Sequence, residues 1–405
     1  MGRSSLKNLI ALLFVACNCG STEQATLKGW EAINSPPHLR HRTSNLQGLA
    51  PPEPMRTVDQ ILNDAADGNR PATDESELPL PRFSRTRHIE SVRALSDVNG
   101  WRTTGYLLFH WSLMIAAMFA AGYSGHWAVY LVAAFVVASR MQALGVMLHD
   151  GVHYLLYKNR SVNDVVCDLF IAFPIGMSTT LYRRTHFRHH RFANTEEDQD
   201  LAAQREEQEW FEWPKTRWGC FVTMLRSLLG INAHRSWILF KYWAPWNHLY
   251  RPVDAAFPMR ARVLYVASMI AVYSGFAVAI KVSPRLTLSL MALYMFSGIT
   301  LLNLINRVRA TAEHLGTRQT HELNATRTVL PSLFERIMIA PYGVNYHLEH
   351  HLFPSVPGCN LSKLHDELMQ DDEFCEHAHV TKTYVGVIRE LMTPAPSNES
   401  AAPIA

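Results

Sequence analysis

The chain has 405 residues, 48% of them hydrophobic and 18% charged, with a formal net charge of +3. That charge is too small to indicate a nucleic-acid-binding protein. The six cysteines contain no CxxC pair, which argues against zinc ribbons, iron–sulfur clusters and a disulfide framework, and no GxGxxG or Walker-type loop stands out to indicate a nucleotide site.

The first hundred residues differ in composition from the rest. Lys7 precedes the apolar run Leu9–Ala16, which superficially resembles an export signal, but export would conflict with the orientation derived below. A start codon assigned too early, with Met55 as the true start, is the alternative. Residues 21–100 are rich in Pro, Ser, Asn and Asp and are predicted to be mostly disordered, with a short helix around Val58–Ala66. We therefore divide the chain into an N-terminal extension (1–100), a membrane domain (101–370) and a C-terminal tail (371–405).

Four apolar segments predict membrane-crossing helices, each near the roughly twenty residues that a bilayer core requires. They are Tyr106–Tyr123, Trp127–Ala138 with its continuation to Leu148, Arg262–Ile280 and Leu286–Ile305. Buried helix pairs of a soluble protein are the alternative, but four such runs in two tightly turned hairpins favour the membrane. The predicted fold is an all-α membrane protein with four transmembrane helices in two hairpins and a helical cytosolic cap.

Basic residues flank the predicted spans on one side. The turn at 124–126 has no Lys or Arg and the turn at 281–285 has two, whereas the other flanks carry many: Arg93, Arg102, Lys158, Arg160, Arg183, Arg184, Arg188, Arg191, Arg260, Arg262, Arg307 and Arg309. The positive-inside rule therefore places both termini and residues 149–260 in the cytosol. Leu169–Met177, which is short and broken by Pro174, and Trp210–Trp246, which holds six of the ten tryptophans, are predicted to lie along the membrane surface.

Histidines recur in three clusters with helical spacing. The first (HDGVH) contains His149 and His153, the second (HFRHH) His186, His189 and His190, and the third (HLEHH) His347, His350 and His351. Spacings of three and four residues place side chains on one face of a helix. One such cluster alone is consistent with a solvated polar face, but three clusters on the same predicted side of the membrane indicate a polyhistidine metal site.

The number of histidines indicates two metal ions. Eight imidazoles are too many for one tetrahedral zinc, and imidazole suits zinc, copper, iron and nickel alike. His314, after the last span, is a ninth candidate ligand. Four acidic neighbours are candidates to orient the imidazole N–H groups, although solvated charge is the alternative for each: Asp150, Asp198, Asp200 and Glu349.

The motifs HDGVH, HFRHH and NYHLEHHLFP, in this order, resemble those of the membrane fatty acid desaturase family over about residues 100–370. The resemblance implies a four-helix membrane bundle, two histidine-bound irons and O2-dependent removal of hydrogen from an acyl chain of a membrane lipid or acyl thioester. The metal ligands it implies are His149, His153, His186, His189, His190, His314, His347, His350 and His351.

Details of the motifs bear on the branch of the family. The three-residue gap in the first cluster is similar to acyl-lipid desaturases, and His347 stands where front-end desaturases commonly have Gln. Ala310 occupies the position at which the acyl-CoA branch has a metal-binding Asn, so the resemblance supplies no ligand there. Because no His-Pro-Gly-Gly haem motif is present, electrons are expected from a separate carrier of the ferredoxin or cytochrome b5 type.

Two other functions remain open at this point. A hydroxylase or ketolase acting on a carotenoid, a sterol or another apolar chain would have the same ligands, and motif spacing does not separate it from a desaturase. A metal transporter or storage protein is the alternative from a different class. Transporters place ionisable residues near the bilayer midplane, whereas the spans predicted here are almost free of them.

Overall fold

A computed structural model of the protein describes residues 82–195, 197–198, 208–234, 242–254 and 256–393. The apolar run Leu9–Ala16, the helix predicted around Val58–Ala66 and the candidate Asp200 lie outside these residues. The predicted domain boundaries therefore stay predictions.

The described residues are mostly helical, with a single short pair of strands among them. The α-helices are α1 Ile89–Leu95, α2 Gly100–Ser124, α3 Trp127–Val152, α4 Arg160–Cys167, α5 Thr179–Phe192, α6 Gln208–Phe211, α7 Arg217–Leu228, α8 Met259–Val282, α9 Pro284–Ser297, α10 Asn303–His314, α11 Leu333–Met338, α12 His347–Leu352, α13 Leu361–Leu368, α14 Asp372–His377 and α15 Tyr384–Met392; the strands are β1 Thr328–Leu330 and β2 Val380–Lys382. Wider π-helical turns follow α4 at Asp168–Ala172 and α9 at Gly298–Leu302.

Within the described part of the chain, four helices are long and apolar enough to cross a membrane, which confirms the predicted all-α membrane fold. They are α2, α3, α8 and the continuous run Pro284–His314, which joins α9 to α10 through the π-helical turn. The fourth, with 31 residues, is longer than the predicted span Leu286–Ile305. The second has 26 residues and includes the predicted continuation to Leu148, and it ends at the first histidine cluster. At 1.5 Å per residue α3 extends about 39 Å, more than the roughly 30 Å of a hydrocarbon core. Helix α3 therefore runs from a membrane span into the first histidine cluster, and the run Pro284–His314 ends at the candidate ligand His314.

The first hairpin follows from local capping signals. The Asn99 side chain accepts the backbone N–H of Arg102 and begins α2. Gly125, with a φ of 64°, ends it in the left-handed conformation that glycine adopts readily. His126 then caps α3 by accepting the N–H of Ala128. The turn is therefore tight, and α2 packs against α3 along its length.

A bent segment follows the first histidine cluster. Helix α4 with its π-helical extension (Arg160–Ile175) meets α5 at an angle of 90°, and Gly176 has a φ of 81° at the bend. By length and composition this pair would also qualify as one broken span or a re-entrant loop. Further on, α7 exposes Trp218, Phe221 and Leu225 at spacings of three and four residues. The arrangement is typical of an interfacial helix, and its location at the membrane surface stays a prediction.

The segment after residue 370 packs against the elements that carry the histidines. Strand β2 pairs in parallel with β1 in the register Thr328 to Val380, Val329 to Thr381 and Leu330 to Lys382. Tyr384, Val387 and Leu391 of α15 share a buried cluster with Val146 and Ala312. The C-terminal segment therefore helps to hold the ends of α3 and α10 together.

Candidate metal centre

The nine predicted ligands lie on four elements that converge. His149 lies in the last turn of α3 and His153 is its C-cap, the second cluster forms the C-terminal half of α5, His314 is the last residue of α10, and the third cluster is α12. The histidine clusters thus lie in helices, as their spacing predicted. Six of the nine histidines are buried, and the other three are half-buried.

The nine side chains form two groups, and within each group all ligand nitrogens lie within 4.8 Å of one another. The five-histidine group consists of His149, His153, His186, His190 and His350; the four-histidine group consists of His189, His314, His347 and His351. Helices α5 and α12 each contribute to both groups. In each of these helices, the two histidines that are four residues apart belong to one group, and the histidine between them belongs to the other. Relative to residue i, residue i+4 is rotated by about 40° and residue i+3 by about 60° in the opposite direction, so one short helix faces both groups.

The ring nitrogens of the five-histidine group point at one another. The Nε2 atom of His186 lies 2.9 Å from that of His153 and 3.0 Å from that of His190. His190 Nε2 also lies 2.9 Å from His350 Nε2. His149 Nε2 is buried and has no hydrogen-bond partner within the described part of the chain. The group therefore surrounds a point to which its nitrogens converge.

The four-histidine group has the same character. His347 Nε2 lies 2.8 Å from His314 Nε2 and 3.1 Å from His351 Nε2. His189 Nε2 lies 3.2 Å from His351 Nε2. This group thus joins α5, α10 and α12.

These distances fit metal ions better than hydrogen bonds. A ring nitrogen carries either a proton or a lone pair. In the run His153–His186–His190–His350, ordinary hydrogen bonds would require one N–H to serve two acceptors. With metal–nitrogen bonds of about 2.0–2.1 Å, neighbouring octahedral ligands are about 2.9 Å apart and tetrahedral ones about 3.4 Å. The observed range of 2.8 to 3.2 Å lies around these values.

The surroundings keep the imidazoles neutral. Burial, together with repulsion from neighbouring imidazoles, lowers the pKa values of His347, His350 and His351 well below the usual value for histidine. A neutral imidazole offers the lone pair that a metal requires. Both groups are therefore suited to bind cations.

Polar side chains contact the outer nitrogens of the four-histidine group. His189 Nδ1 lies 2.9 Å from Asp198 Oδ2, and His314 Nδ1 lies 3.1 Å from Asn194 Oδ1. Glu313 Oε1 lies 3.7 Å from His347 Nδ1. Asp198 is the predicted acidic neighbour that contacts a candidate ligand, whereas Asn194 and Glu313 were missed. Such partners fix the orientation of an imidazole and raise its basicity.

Two of the acidic candidates have other partners. Asp150 Oδ2 accepts the backbone N–H of Gly358 at 2.9 Å. Glu349 accepts hydrogen bonds from Thr328 Oγ1 at 2.5 Å and from His365 Nδ1 at 2.6 Å. Both carboxylates thus connect the histidine-bearing helices to neighbouring segments. His365 lies outside both groups, but it is buried and supports α12 through Glu349.

Arg183 connects the first two clusters. Its guanidinium donates to the carbonyls of Val152 at 2.7 Å and Gly151 at 3.0 Å, at the C-terminal end of α3. It also forms a buried ion pair with Asp164 at 2.6 Å and stacks over Tyr154 at 3.7 Å. The residue appeared in the sequence as one of many basic residues near a span. Its position one turn before His186 is the signal that could have identified it.

Two glycines allow close packing around the five-histidine group. A Cβ on Gly151 would lie 2.4 Å from Cys167 Sγ, so glycine lets the end of α3 approach α4. Gly343, with a φ of 83°, contacts the Gly358 backbone, where a Cβ would lie 2.2 Å from the carbonyl oxygen. Through Gly358 and Asp150, the segments on both sides of α12 are fixed to α3.

Ala310, one turn before His314 on α10, lies in the wall of a small cleft with Trp210 and Phe211. A second cleft lies directly beside the five-histidine group. His149, His347 and His350 line one side of it, and apolar residues line much of the rest: Val146, Tyr342, Val344 and Leu361. The second cleft gives an apolar molecule a surface beside the candidate ligands.

Comparison with known proteins identifies the family. The fatty acid desaturase family model matches residues 125–384, which include all nine histidines. Dihydrorhizobitoxine desaturase of Bradyrhizobium elkanii is 24% identical over 274 residues, covering 65% of this chain and 75% of the relative. The Delta(5) fatty acid desaturase of Caenorhabditis elegans is 23% identical over 254 residues (58% and 56%), and the chloroplastic omega-6 fatty acid desaturase of Brassica napus is 22% identical over 297 residues (70% and 62%).

The chain thus spans less than two thirds of the length of the nematode and plant relatives. The family match nevertheless covers well over half of the chain, together with three of its four candidate membrane helices nearly in full. On this evidence, the chain belongs to the fatty acid desaturase family.

Proposed function

We propose that the protein is a membrane di-iron oxidoreductase that introduces a double bond into the acyl chain of a lipid or fatty acyl thioester. The observation that carries the proposal is the convergence of nine histidines into two adjacent groups at the ends of apolar helices. In the overall reaction two hydrogens leave adjacent carbons and O2 is reduced to two waters. Two electrons and two protons come from outside, the electrons from a separate ferredoxin or cytochrome b5 type carrier.

In this proposal the five-histidine and four-histidine groups each hold one iron. Iron supplies the redox chemistry with O2 that zinc lacks, and imidazole is a suitable ligand for it. Low pKa values leave His350 and His351 neutral and ready to bind a cation. Asp198 holds the His189 ring in place through Nδ1, which leaves Nε2 directed at the four-histidine group. Arg183 fixes the end of α3 relative to α5.

The cleft beside the five-histidine group supports an apolar substrate. Val146, Tyr342 and Leu361 present hydrocarbon and aromatic surface next to His149 and His350. These side chains would exclude water from the space beside the candidate ligands, and Asp150, which also lines the cleft, is held by its contact with the Gly358 N–H. A substrate with an extended apolar chain fits this lining better than a small polar one.

A hydroxylase or ketolase is the second candidate, because the same ligands serve hydrogen removal and oxygen insertion. The names of the three relatives all specify a desaturase, which favours the first reaction. The bacterial relative is named for dihydrorhizobitoxine, and its name does not mention a fatty acid. The names of the relatives therefore support desaturation more strongly than they support a fatty acyl substrate.

Lipid analysis after expression in a host of simple acyl composition tests the proposal. We expect acyl chains two mass units lighter than the host's, each with one additional double bond, and none in cells that express His189→Ala. Chains that gain one oxygen and no double bond would favour the hydroxylase. Unchanged lipids, despite membrane insertion, iron loading and a supplied electron carrier, would count against an acyl substrate.

A further inference from the structure

Helix α11 exposes an apolar surface between strand β1 and the third histidine cluster. Leu333 is 75% exposed, Phe334 68% and Ile337 48%. These residues lie at i, i+1 and i+4, so they share one side of the helix. Arg336, at i+3, is also exposed and lies at the edge of this surface, where its long side chain can extend toward the membrane boundary. The opposite side packs against α3, and nothing else within the described residues covers the exposed side. A six-residue helix with this surface requires an apolar environment or a partner.

The C-terminal end of α11 is fixed to a membrane-crossing helix by polar side chains. Ser139 Oγ donates to the Ile337 carbonyl at 2.8 Å, and Arg140 Nη2 donates to the same carbonyl at 3.3 Å. Gln142 Nε2 donates to the Ile339 carbonyl at 3.1 Å. All three side chains belong to α3 and are buried. They therefore supply the donors that the last turn of α11 lacks.

The depth of this contact follows from helix geometry. Arg140 lies thirteen residues after Trp127, which begins α3, and thus about 20 Å from that end. Arg140 Nη1 lies 3.1 Å from Nδ1 of His110 on α2. His110 lies fourteen residues before Ser124, the last residue of α2, and thus about 21 Å from the same turn. The hydrocarbon core is about 30 Å thick. With the turn between α2 and α3 at the far boundary of the core, the end of α11 lies inside it, about 10 Å from the boundary on the side of the histidine groups.

Protein groups also form hydrogen bonds with the backbone at the N-terminal end of α11. Ser332 and Glu335 form a capping box, in which Glu335 Oε2 accepts the Ser332 N–H at 2.8 Å. Glu335 Oε1 accepts the N–H groups of Tyr384 at 2.9 Å and Val385 at 3.2 Å, at the start of α15. Non-helical backbone at membrane depth is tolerated only where protein groups satisfy it. The connections around α11 meet that requirement.

The exposed surface is also continuous with a membrane face. Phe109 on α2 is 55% exposed, and its ring lies 5.9 Å from the Arg140 guanidinium that contacts Ile337. We propose that α11 is inserted among the lipid acyl chains of the leaflet next to the histidine groups, with Leu333, Phe334 and Ile337 facing lipid. Because α11 ends nine residues before His347, lipid chains reach the protein surface immediately beside the segment that leads into the third cluster.

Fluorescence quenching in lipid nanodiscs tests this insertion. A bimane label is placed on Phe334→Cys in the full chain, with the six native cysteines replaced. The quenchers are phosphatidylcholine with a nitroxide on its acyl chain and iodide in the water. Ile270→Cys on α8 (63% exposed) is the lipid reference, and Met369→Cys (43% exposed), which follows α13, is the water reference.

We expect the lipid nitroxide to quench Phe334→Cys within about twofold of Ile270→Cys and at least about threefold more than Met369→Cys. Iodide should show the reverse order. Quenching of Phe334→Cys like that of Met369→Cys would overturn the proposal and indicate a surface that faces water or a protein partner.

A second measurement covers the case in which the cysteine-free chain does not fold. A photoactivatable benzophenone amino acid replaces Phe334, and in a control Met369, in the chain with native cysteines. Lipid adducts at position 334 and none at 369 support insertion. Adducts at neither position, with Ile270 as a positive control, contradict it.

Discussion

The two histidine groups are held in place by different means. Around the five-histidine group the fixing contacts are made to backbone: Arg183 binds the carbonyls at the end of α3, and Asp150 binds the N–H of Gly358. Around the four-histidine group they are made to the imidazoles, through Asp198 and Asn194. The first group therefore depends on the placement of whole helices, whereas the second depends on the side chains that orient individual rings.

The largest effect is expected from removal of a proposed ligand. His189→Ala removes a nitrogen of the four-histidine group that neither water nor Arg188, which does not deprotonate, reproduces. Product formation should fall by more than the roughly 10–100-fold that loss of an outer partner costs. Iron should fall toward one per chain, because the five-histidine group keeps all its members.

The matched control for this variant is His248→Ala. His248 lies outside both groups, and its Nε2 lies 3.1 Å from the Tyr242 carbonyl oxygen. The measurement is acyl-chain product per unit of membrane-inserted protein. Wild-type turnover in both variants would show that the histidine groups are not catalytic.

Removal of the Arg183 contacts tests whether the five-histidine group depends on the position of α3 relative to α5. Arg183→Met leaves the buried Asp164 carboxylate without its closest cation, a change that typically costs about 3–5 kcal/mol. The control is Arg184→Met, because Arg184 is exposed and 3.7 Å from an equally exposed Asp254, a pair of the kind that contributes about 0–1 kcal/mol. Thermal unfolding in detergent and iron content measure the difference. Equal losses in the two variants would contradict the proposed role.

Asp198 provides the corresponding test for the four-histidine group. Asp198→Ala removes the partner of His189 Nδ1 and should weaken metal retention about 10–100-fold, with little effect on membrane insertion. Glu197→Ala is the control, since Glu197 is exposed and accepts a hydrogen bond from the Thr195 hydroxyl. Iron loss during dialysis against a chelator compares the two. Identical rates would mean that Asp198 does not support the ligand.

The smallest effect is expected from His365. Its replacement with Gln disturbs one buried hydrogen bond to Glu349, which should cost about 1–3 kcal/mol of stability and leave two irons bound. Thermal unfolding and metal analysis are the measurements, with exposed His234→Gln as the control. A loss of iron as large as in His189→Ala would place His365 among the ligands.

The helices and the candidate ligands could be predicted from sequence because both depend on local spacing. Apolar runs of sufficient length predicted the spans, and spacings of three and four residues predicted histidines on helical faces. The division into groups was not predictable in the same way. The partners that separate His189 from His186 and His190 are distant in sequence: His314 of α10 joins His189, whereas His149 and His153 of α3 join His186 and His190.

Charged residues were harder still to interpret. Arg183 and Arg262 were counted as basic flanks of the spans, yet both are buried and bind backbone carbonyls. In the sequence, an arginine that binds the carbonyls at the end of a helix looks the same as one that sets the orientation of a membrane span. The cytosolic location of the termini and histidines therefore stays a prediction. The contact between Asp150 and Gly358 joins residues 208 positions apart, which no local pattern encodes.

Metal content tests the central claim most directly. Wild-type protein, purified in mild detergent after growth with supplemented iron, should contain close to two irons per chain. Its His189→Ala variant should contain about one and its His248→Ala variant close to two. Stoichiometric zinc that persists after iron is supplied, with no activity regained, would contradict the assignment of the two histidine groups to an iron centre.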